Sequence, residues 1–309
     1  MIKLTKILKE VMEQEEQDNA SVDTTYDKVI KDALKVDQIP AVQGKYALGD
    51  NKTPQGSDLE IFNKLYKVSP PTSGKEIGSA GSQGSGNGEI ALYWLFKYQN
   101  PSISAEDSRG LDNPDLIING HGVEVKSMEK NDLPLGRFGH QDYKEIILLL
   151  NDIFSLYALS SLIAHKKKRI PTASNFNQSE LQEALESIIK LHNDENLKSL
   201  ADAFPIISNV YKKTNIIFEK LSLKDSPDVQ EAGGAVLKKL LLVKLTRKLN
   251  LNSKEPGYIV NVSSNGEIKY YKVTKEMIEG LDNKKIMTDN NVTAKQSFLS
   301  IKPEALFIK

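Results

Sequence analysis

The stretch Asn113 to Ser127, NPDLIINGHGVEVKS, decides how this chain is read. Leu116 to Ile118 and Val123 to Val125 are short β-branched and leucine runs on either side of Asn119-Gly120-His121-Gly122. Asn-Gly between such runs is a strong hairpin signal, because both residues accept the left-handed backbone of a tight turn. Side chains alternate across a strand, so Glu124 and Lys126 share one face while Val125 points into the core. Asp115 opens the first strand, and neighbouring strands lie about 4.8 Å apart. The hairpin is thus expected to set two carboxylates and an ammonium on one surface beside a buried apolar layer.

That arrangement suits one kind of chemistry. Two carboxylates at neighbouring strand positions can share a hard cation such as Mg²⁺, with Mn²⁺ as its substitute. The backbone carbonyl of Val125 is within reach of the same ion. A metal held so polarises a phosphate oxygen and lowers the pKa of a bound water. A lysine beside it orients that water or neutralises charge developing on phosphorus. Whether Lys126 also serves as base stays open: nearby carboxylates favour its charged form and a bound cation opposes it.

Upstream of the hairpin, GEIALYWLFKY (Gly88 to Tyr98) is apolar nearly all round and predicts a buried helix with Glu89 in its first turn. The helix dipole alone would favour an acid there, so Glu89 has a structural reading as well as a metal-binding one. Two decoys repeat parts of the pattern. Glu267-Ile268-Lys269 sits in a second expected hairpin, but no acid opens its partner strand, Tyr258 to Val262. Pro227-Asp228 starts a helix, where aspartate is a good capping residue.

Pro114-Asp115, eight intervening residues, and Glu124-Val125-Lys126, preceded by Glu89 on a helix, resemble the PD-(D/E)XK nuclease superfamily with its restriction-endonuclease-like fold. The resemblance implies that Asp115, Glu124 and Glu89 hold the metal and that Lys126 assists catalysis. Gly136-Arg137-Phe138-Gly139 looks like a glycine–arginine segment of some phage and restriction members, which makes Arg137 a phosphate-clamp candidate. The expected activity is metal-dependent endonuclease cleavage, of DNA rather than RNA. Cutting both strands with one site per chain implies a homodimer or repeated nicking. The alternative is a non-catalytic nucleic-acid-binding or phage assembly protein with a degenerate nuclease fold. The similarity spans about residues 84–140, and composition and N-terminal style also resemble those of large tailed-phage proteins.

Around this core, four regions are expected. Residues 1–72 read as N-terminal helices, with Leu59, Ile61, Phe62, Leu65 and Tyr66 marking one amphipathic face. Residues 73–141 form the nuclease core, including a glycine- and serine-rich run from Ser73 to Gly88 that lacks the Gly-Lys-Ser/Thr ending of a P-loop. Residues 142–254 are helical, near 142–165, 178–203, 206–222 and 228–249, punctuated by Pro171, Pro205 and Pro227, with Gly233-Gly234 weakening the last helix. Residues 255–309 read as strands, a candidate to complete the core sheet. The fold class is α/β, a mixed sheet with a large helical segment and a β-rich tail.

Of the 309 residues, 41 are basic and 41 acidic, so a polyanion footprint has to be local. Segment 74–140 carries six Lys and Arg against nine Asp and Glu, whereas 205–254 carries ten against four. Lys244 and Lys248 on one helix, and the cluster Lys166, Lys167, Lys168 and Arg169, are therefore the candidate backbone contacts, with ordinary solvated lysines as the plain reading. His121, between two glycines, reads as a solvated loop residue rather than a ligand, and His140, after the glycine–arginine segment, as a structural residue with a phosphate contact as the alternative. No cysteine is present, which excludes disulfides, thiolate zinc sites and cysteine nucleophiles. The N-terminal residues lack the apolar region of a signal peptide, so an intracellular, cytoplasmic setting is expected. Ile146 to Ala164 is long enough to span a bilayer, but Asn151 and Asp152 at its centre favour a buried helix and no membrane partner.

Overall fold

The computed structural model describes residues 26–68, 88–107, 113–127, 133–137, 143–163, 169–223, 227–251, 255–289, 291–295, 298–302 and 305. In chain order, helices α1 (26–34), α2 (Ser57–Tyr66) and α3 (Glu89–Lys97) precede strands β1 (Ala105–Asp107), β2 (Leu116–Ile118), β3 (His121–Lys126) and β4 (Leu133–Arg137). Helices α4 (Lys144–Ile163), α5 (Gln178–His192), α6 (Glu195–Leu200), α7 (Pro205–Lys220) and α8 (Val229–Lys248) follow. The tail holds β5 (Gly257–Val262), β6 (Ile268–Val273), α9 (Lys275–Glu279), α10 (Asn283–Thr288), β7 (Val292–Lys295) and β8 (Phe298–Ile301). Expected tail strands are thus interrupted by two short helices, and β1 adds a strand ahead of the expected hairpin. The chain folds as two compact units, each built from two stretches of sequence: 1–130 with 246–274, and 131–245 with 275–309.

The first unit is organised by a five-stranded mixed sheet in the order β1-β2-β3-β5-β6. Strands β1, β2 and β3 form an antiparallel meander, β5 lies parallel to β3, and β5 and β6 form an antiparallel hairpin. The β2–β3 turn is tighter than the four residues expected. Asn119 and Gly120 alone make it, with φ of 55° and 83°, and His121 and Gly122 already belong to β3. Two residues of positive φ match the twist of the flanking strands. Helix α3 is buried from Glu89 to Phe96, and Tyr93, Trp94 and Phe96 join Val123, Val125, Val260 and Val262 in one core with Tyr26, Phe62 and Leu65. Being central, β3 is buried on both faces, which is why a polar side chain at position 124 loses contact with solvent.

The second unit packs helices around a three-stranded antiparallel sheet, β4-β8-β7. Helix α4 is long and apolar enough to cross a membrane, and 44% of that window is buried within the protein, where α4 packs against α5 and α7. Helix α5 starts on a capping box in which Asn177 and Glu180 satisfy each other's backbone N–H groups. Gly233 and Gly234 do not interrupt α8. A Cβ at position 234 would fall 1.8 Å from the carbonyl oxygen of Asn283, so the missing side chain lets the α10 backbone approach.

Candidate functional site

The first unit brings Asp115, Glu124, Lys126 and Glu89 into one electrostatic group. Asp115 directly precedes β2, and its Oδ2 accepts a hydrogen bond from the backbone N–H of Val125 on β3, 2.8 Å away. Glu124, fully buried, accepts an ion pair from Lys126 Nζ at 2.6 Å, as expected of residues two apart on one strand face. Glu89 reaches the group from the first turn of α3. Gly88 caps that helix with a left-handed backbone at φ 89°, close against Val262 of β5. The Tyr26 hydroxyl donates to Glu89 Oε1, a contact between elements 63 residues apart.

A second lysine joins them. Lys248, in the last turn of α8, places Nζ 3.0 Å from Glu124 Oε1 and 3.2 Å from Oε2. Sequence reasoning placed this lysine on nucleic acid. Its ammonium instead sits astride a buried carboxylate, where desolvated opposite charges attract far more strongly than at the surface. The reach depends on glycine. Gly122 lies two residues before Glu124 on the same strand face, and a Cβ there would sit 2.2 Å from the carbonyl oxygen of Leu249. A Cβ on Gly257, the first residue of β5, would meet the Leu249 side chain at 2.4 Å. Two bare backbones in adjacent strands thus seat the end of α8 and bring Lys248 to Glu124.

Charge is unevenly compensated in this group. Burial, and then the negative charge of Glu124, push the Asp115 carboxyl up to about 6, against the pull of Lys126, Lys248 and the Val125 N–H. Burial works to lower Lys126, but Glu124, Asp115 and Glu89 together hold it above the ordinary lysine range. Without a bound cation Lys126 is therefore held as an ammonium at neutral pH. Among the described residues, no three His, Cys, Asp or Glu side chains converge as a ready-made metal cage. The donor chemistry of the pair nevertheless fits a hard cation: two carboxyls from neighbouring parts of the β2–β3 hairpin, that of Asp115 with its proton affinity raised by burial and then by Glu124. Asp115 and Glu124 are the candidate donors, with Glu89 close enough to act on the charge of Lys126. Val125 directs its side chain to the core and its N–H to Asp115, leaving only its carbonyl as a donor.

The other sequence candidates fall elsewhere. Arg137 ends β4 in the second unit, paired with Phe298, and its side chain lies outside the described residues, as do Lys166, Lys167, Lys168 and His140. Arg169 is exposed and pairs with Glu180 at 3.4 Å. The expectation of a phosphate contact from Lys244 is corrected: it is 3% exposed, with Nζ 5.4 Å from the centre of the Tyr143 ring, so apolar packing of α8 has taken its stem inward. His121 is no loop residue either, since its Nδ1 bonds the Pro256 carbonyl at 2.9 Å. Both decoys have local work. Glu267 and Lys269 pair with each other on the surface at 3.0 Å, and Asp228 caps α8 by accepting from Glu231 N–H at 2.7 Å.

Tyr26 is the site residue that the sequence did not reveal, and nothing in the local pattern marks it; Lys248 stood out in the sequence as a basic residue sharing a helical face with Lys244, without a sign of its carboxylate partner. Compared with known protein families, with curated proteins and with solved structures, the chain matches none.

Proposed function

We propose that this chain is a divalent-metal-dependent phosphodiesterase of the restriction-endonuclease-like, PD-(D/E)XK type, cutting DNA. One observation carries the reading: Asp115, directly before β2, and Glu124 on β3 are two buried carboxyls brought together, burial and then Glu124 raising the proton affinity of Asp115, while an ammonium, Lys126, stands on the same strand face as Glu124. Buried like charges are costly, and a group that retains them invites a cation. A bound Mg²⁺ would supply Lewis-acid polarisation of a phosphate oxygen and a water of lowered pKa. Glu124 and Asp115 are the principal oxygen donors, with Glu89 as the third. Lys126 places positive charge where the phosphorane becomes more negative, which is worth most where water is excluded.

The test uses the purified full chain on supercoiled plasmid with Mg²⁺ or Mn²⁺. Nicking or cutting that EDTA stops, and that Asp115→Ala and Lys126→Ala each reduce by at least about a hundredfold, is the expected result. Undiminished cleavage by both variants would overturn the assignment.

A second reading is favoured by a specific contact. Glu124 already carries two lysines, Lys126 and Lys248, and such an internally neutralised carboxylate suits a non-catalytic nucleic-acid-binding or phage assembly protein on a degenerate nuclease fold. Calorimetry with Mn²⁺ separates the two, because the inert form takes up no ion at Asp115 and Glu124.

A further inference from the structure

Lys248 poses a question that the proposed reaction leaves open. Its ammonium bridges both oxygens of Glu124, the carboxylate most central to the site, so an incoming cation meets a donor that is already taken. Lys126 holds the same carboxylate from two residues away on the same strand face. Lys248 arrives from another element on a flexible four-carbon stem, and its side chain keeps 18% of its surface exposed. The helix end has contacts of its own besides the ammonium, since Leu249 lies close against Gly122 and Gly257.

Charge says where it would go. Counted at formal charge, the three carboxylates Asp115, Glu124 and Glu89 and the two ammoniums Lys126 and Lys248 leave the metal-free group with one net negative charge. A divalent ion added with both lysines retained turns this into one positive charge, equal and opposite to a single phosphodiester. Without Lys248 the loaded site would be neutral and would offer a phosphate no net attraction.

We propose that Lys248 is a displaceable counter-cation: it occupies Glu124 while the metal is absent, yields the carboxylate to the ion, and then positions the scissile phosphate. The proposal rests on the nuclease reading. It makes Lys248 a positioning residue with two opposed effects, competing with the metal and recruiting the substrate.

The experiment measures Mn²⁺ binding by calorimetry and plasmid cleavage in parallel, on the full chain at pH 8. Lys248→Met should bind Mn²⁺ about tenfold more tightly, because a competing cation is gone. The same variant should cleave at least about tenfold more slowly, with the loss in KM for DNA, while Lys248→Arg restores KM. Lys248→Gln and the melting temperatures of all variants guard against misfolding, which would weaken metal binding and cleavage together. If wild-type protein binds Mn²⁺ and cuts DNA but folded Lys248→Met and Lys248→Gln bind the ion no more tightly, the counter-cation role is overturned and the nuclease reading survives. If wild-type protein takes up no Mn²⁺, the nuclease reading falls and the role of Lys248 falls with it.

Discussion

Asp115 Oδ2 accepts a hydrogen bond from the backbone N–H of Val125 at 2.8 Å, ten residues later and across the β2–β3 pair. This bond orients the Asp115 carboxylate beside Glu124, and burial together with that neighbour raises its pKa to about 6. A carboxyl whose folded pKa exceeds its unfolded value of about 3.9 binds its proton more tightly in the fold. Its contribution to stability therefore falls as pH rises from about 4 to about 6 and stays lost above that. In metal-free protein, Asp115→Asn, which keeps an acceptor for the Val125 N–H, should raise stability at pH 8 by on the order of 2 kcal/mol and by much less at pH 4. Urea unfolding at the two pH values measures the difference. A lower stability of the variant at pH 8 would show that Asp115 is net stabilised by its lysines.

The proposed metal binding should have the opposite pH dependence. An ion competes with the proton on Asp115, so Mn²⁺ affinity should weaken progressively below about pH 6 and level off above it. A calorimetric titration between pH 5 and pH 8 reads this directly. A flat profile would place the ion away from Asp115.

Gly122 tests how the end of α8 is seated. An alanine Cβ would meet the Leu249 carbonyl oxygen at 2.2 Å, a backbone atom with no flexible side chain to give way. Gly122→Ala should cost about 1–3 kcal/mol and loosen the Lys248–Glu124 pair. Gly120→Asn is the control, since Gly120 has open space around it and asparagine tolerates its positive φ. Equal effects in urea denaturation would mean that close approach is not the reason for Gly122.

Tyr26 gives a third handle on the site. Its hydroxyl donates to Glu89 inside the core, and Tyr26→Phe removes that donor while keeping the ring against Tyr93. Bonds to charged groups contribute about 1.5–3 kcal/mol, so a loss of that order is expected, along with weaker Mn²⁺ binding through a misplaced Glu89. Unchanged metal affinity would remove Glu89 from the donor set.

Asp228 separates site from decoy. It caps α8 through Glu231 N–H and pairs with Lys284 on the surface. Asp228→Ala should cost about 1 kcal/mol as a lost helix cap and leave cleavage and metal binding unchanged. Loss of activity without loss of stability would mean that the wrong Pro-Asp pair was chosen.

Much of the sheet that carries the site was legible because its signals are local. Asn119-Gly120 specifies a hairpin turn by backbone conformation, and the alternation Glu124, Val125, Lys126 assigns faces by a period of two. The continuous apolar run from Ile90 to Phe96 predicts a buried helix without reference to anything else. Strand β1 was missed because three residues, Ala105 to Asp107, are too few to show a period and gain strand geometry only by pairing with β2. The helices α9 and α10 were missed for a similar reason, being five and six residues long.

The sequence by itself determined the hairpin, the pairing of an acid with a lysine on one strand face, and the buried helix that begins with Glu89. Tertiary structure alone decided that β5 lies parallel to β3, that Tyr26 holds Glu89, and that Lys244 turns inward while Lys248 grips Glu124. Local backbone preference and side-chain alternation act over a few residues and can be read in order. Which distant ammonium meets a buried carboxylate depends on how closely two backbones approach, and here that rests on the absent side chains of Gly122 and Gly257.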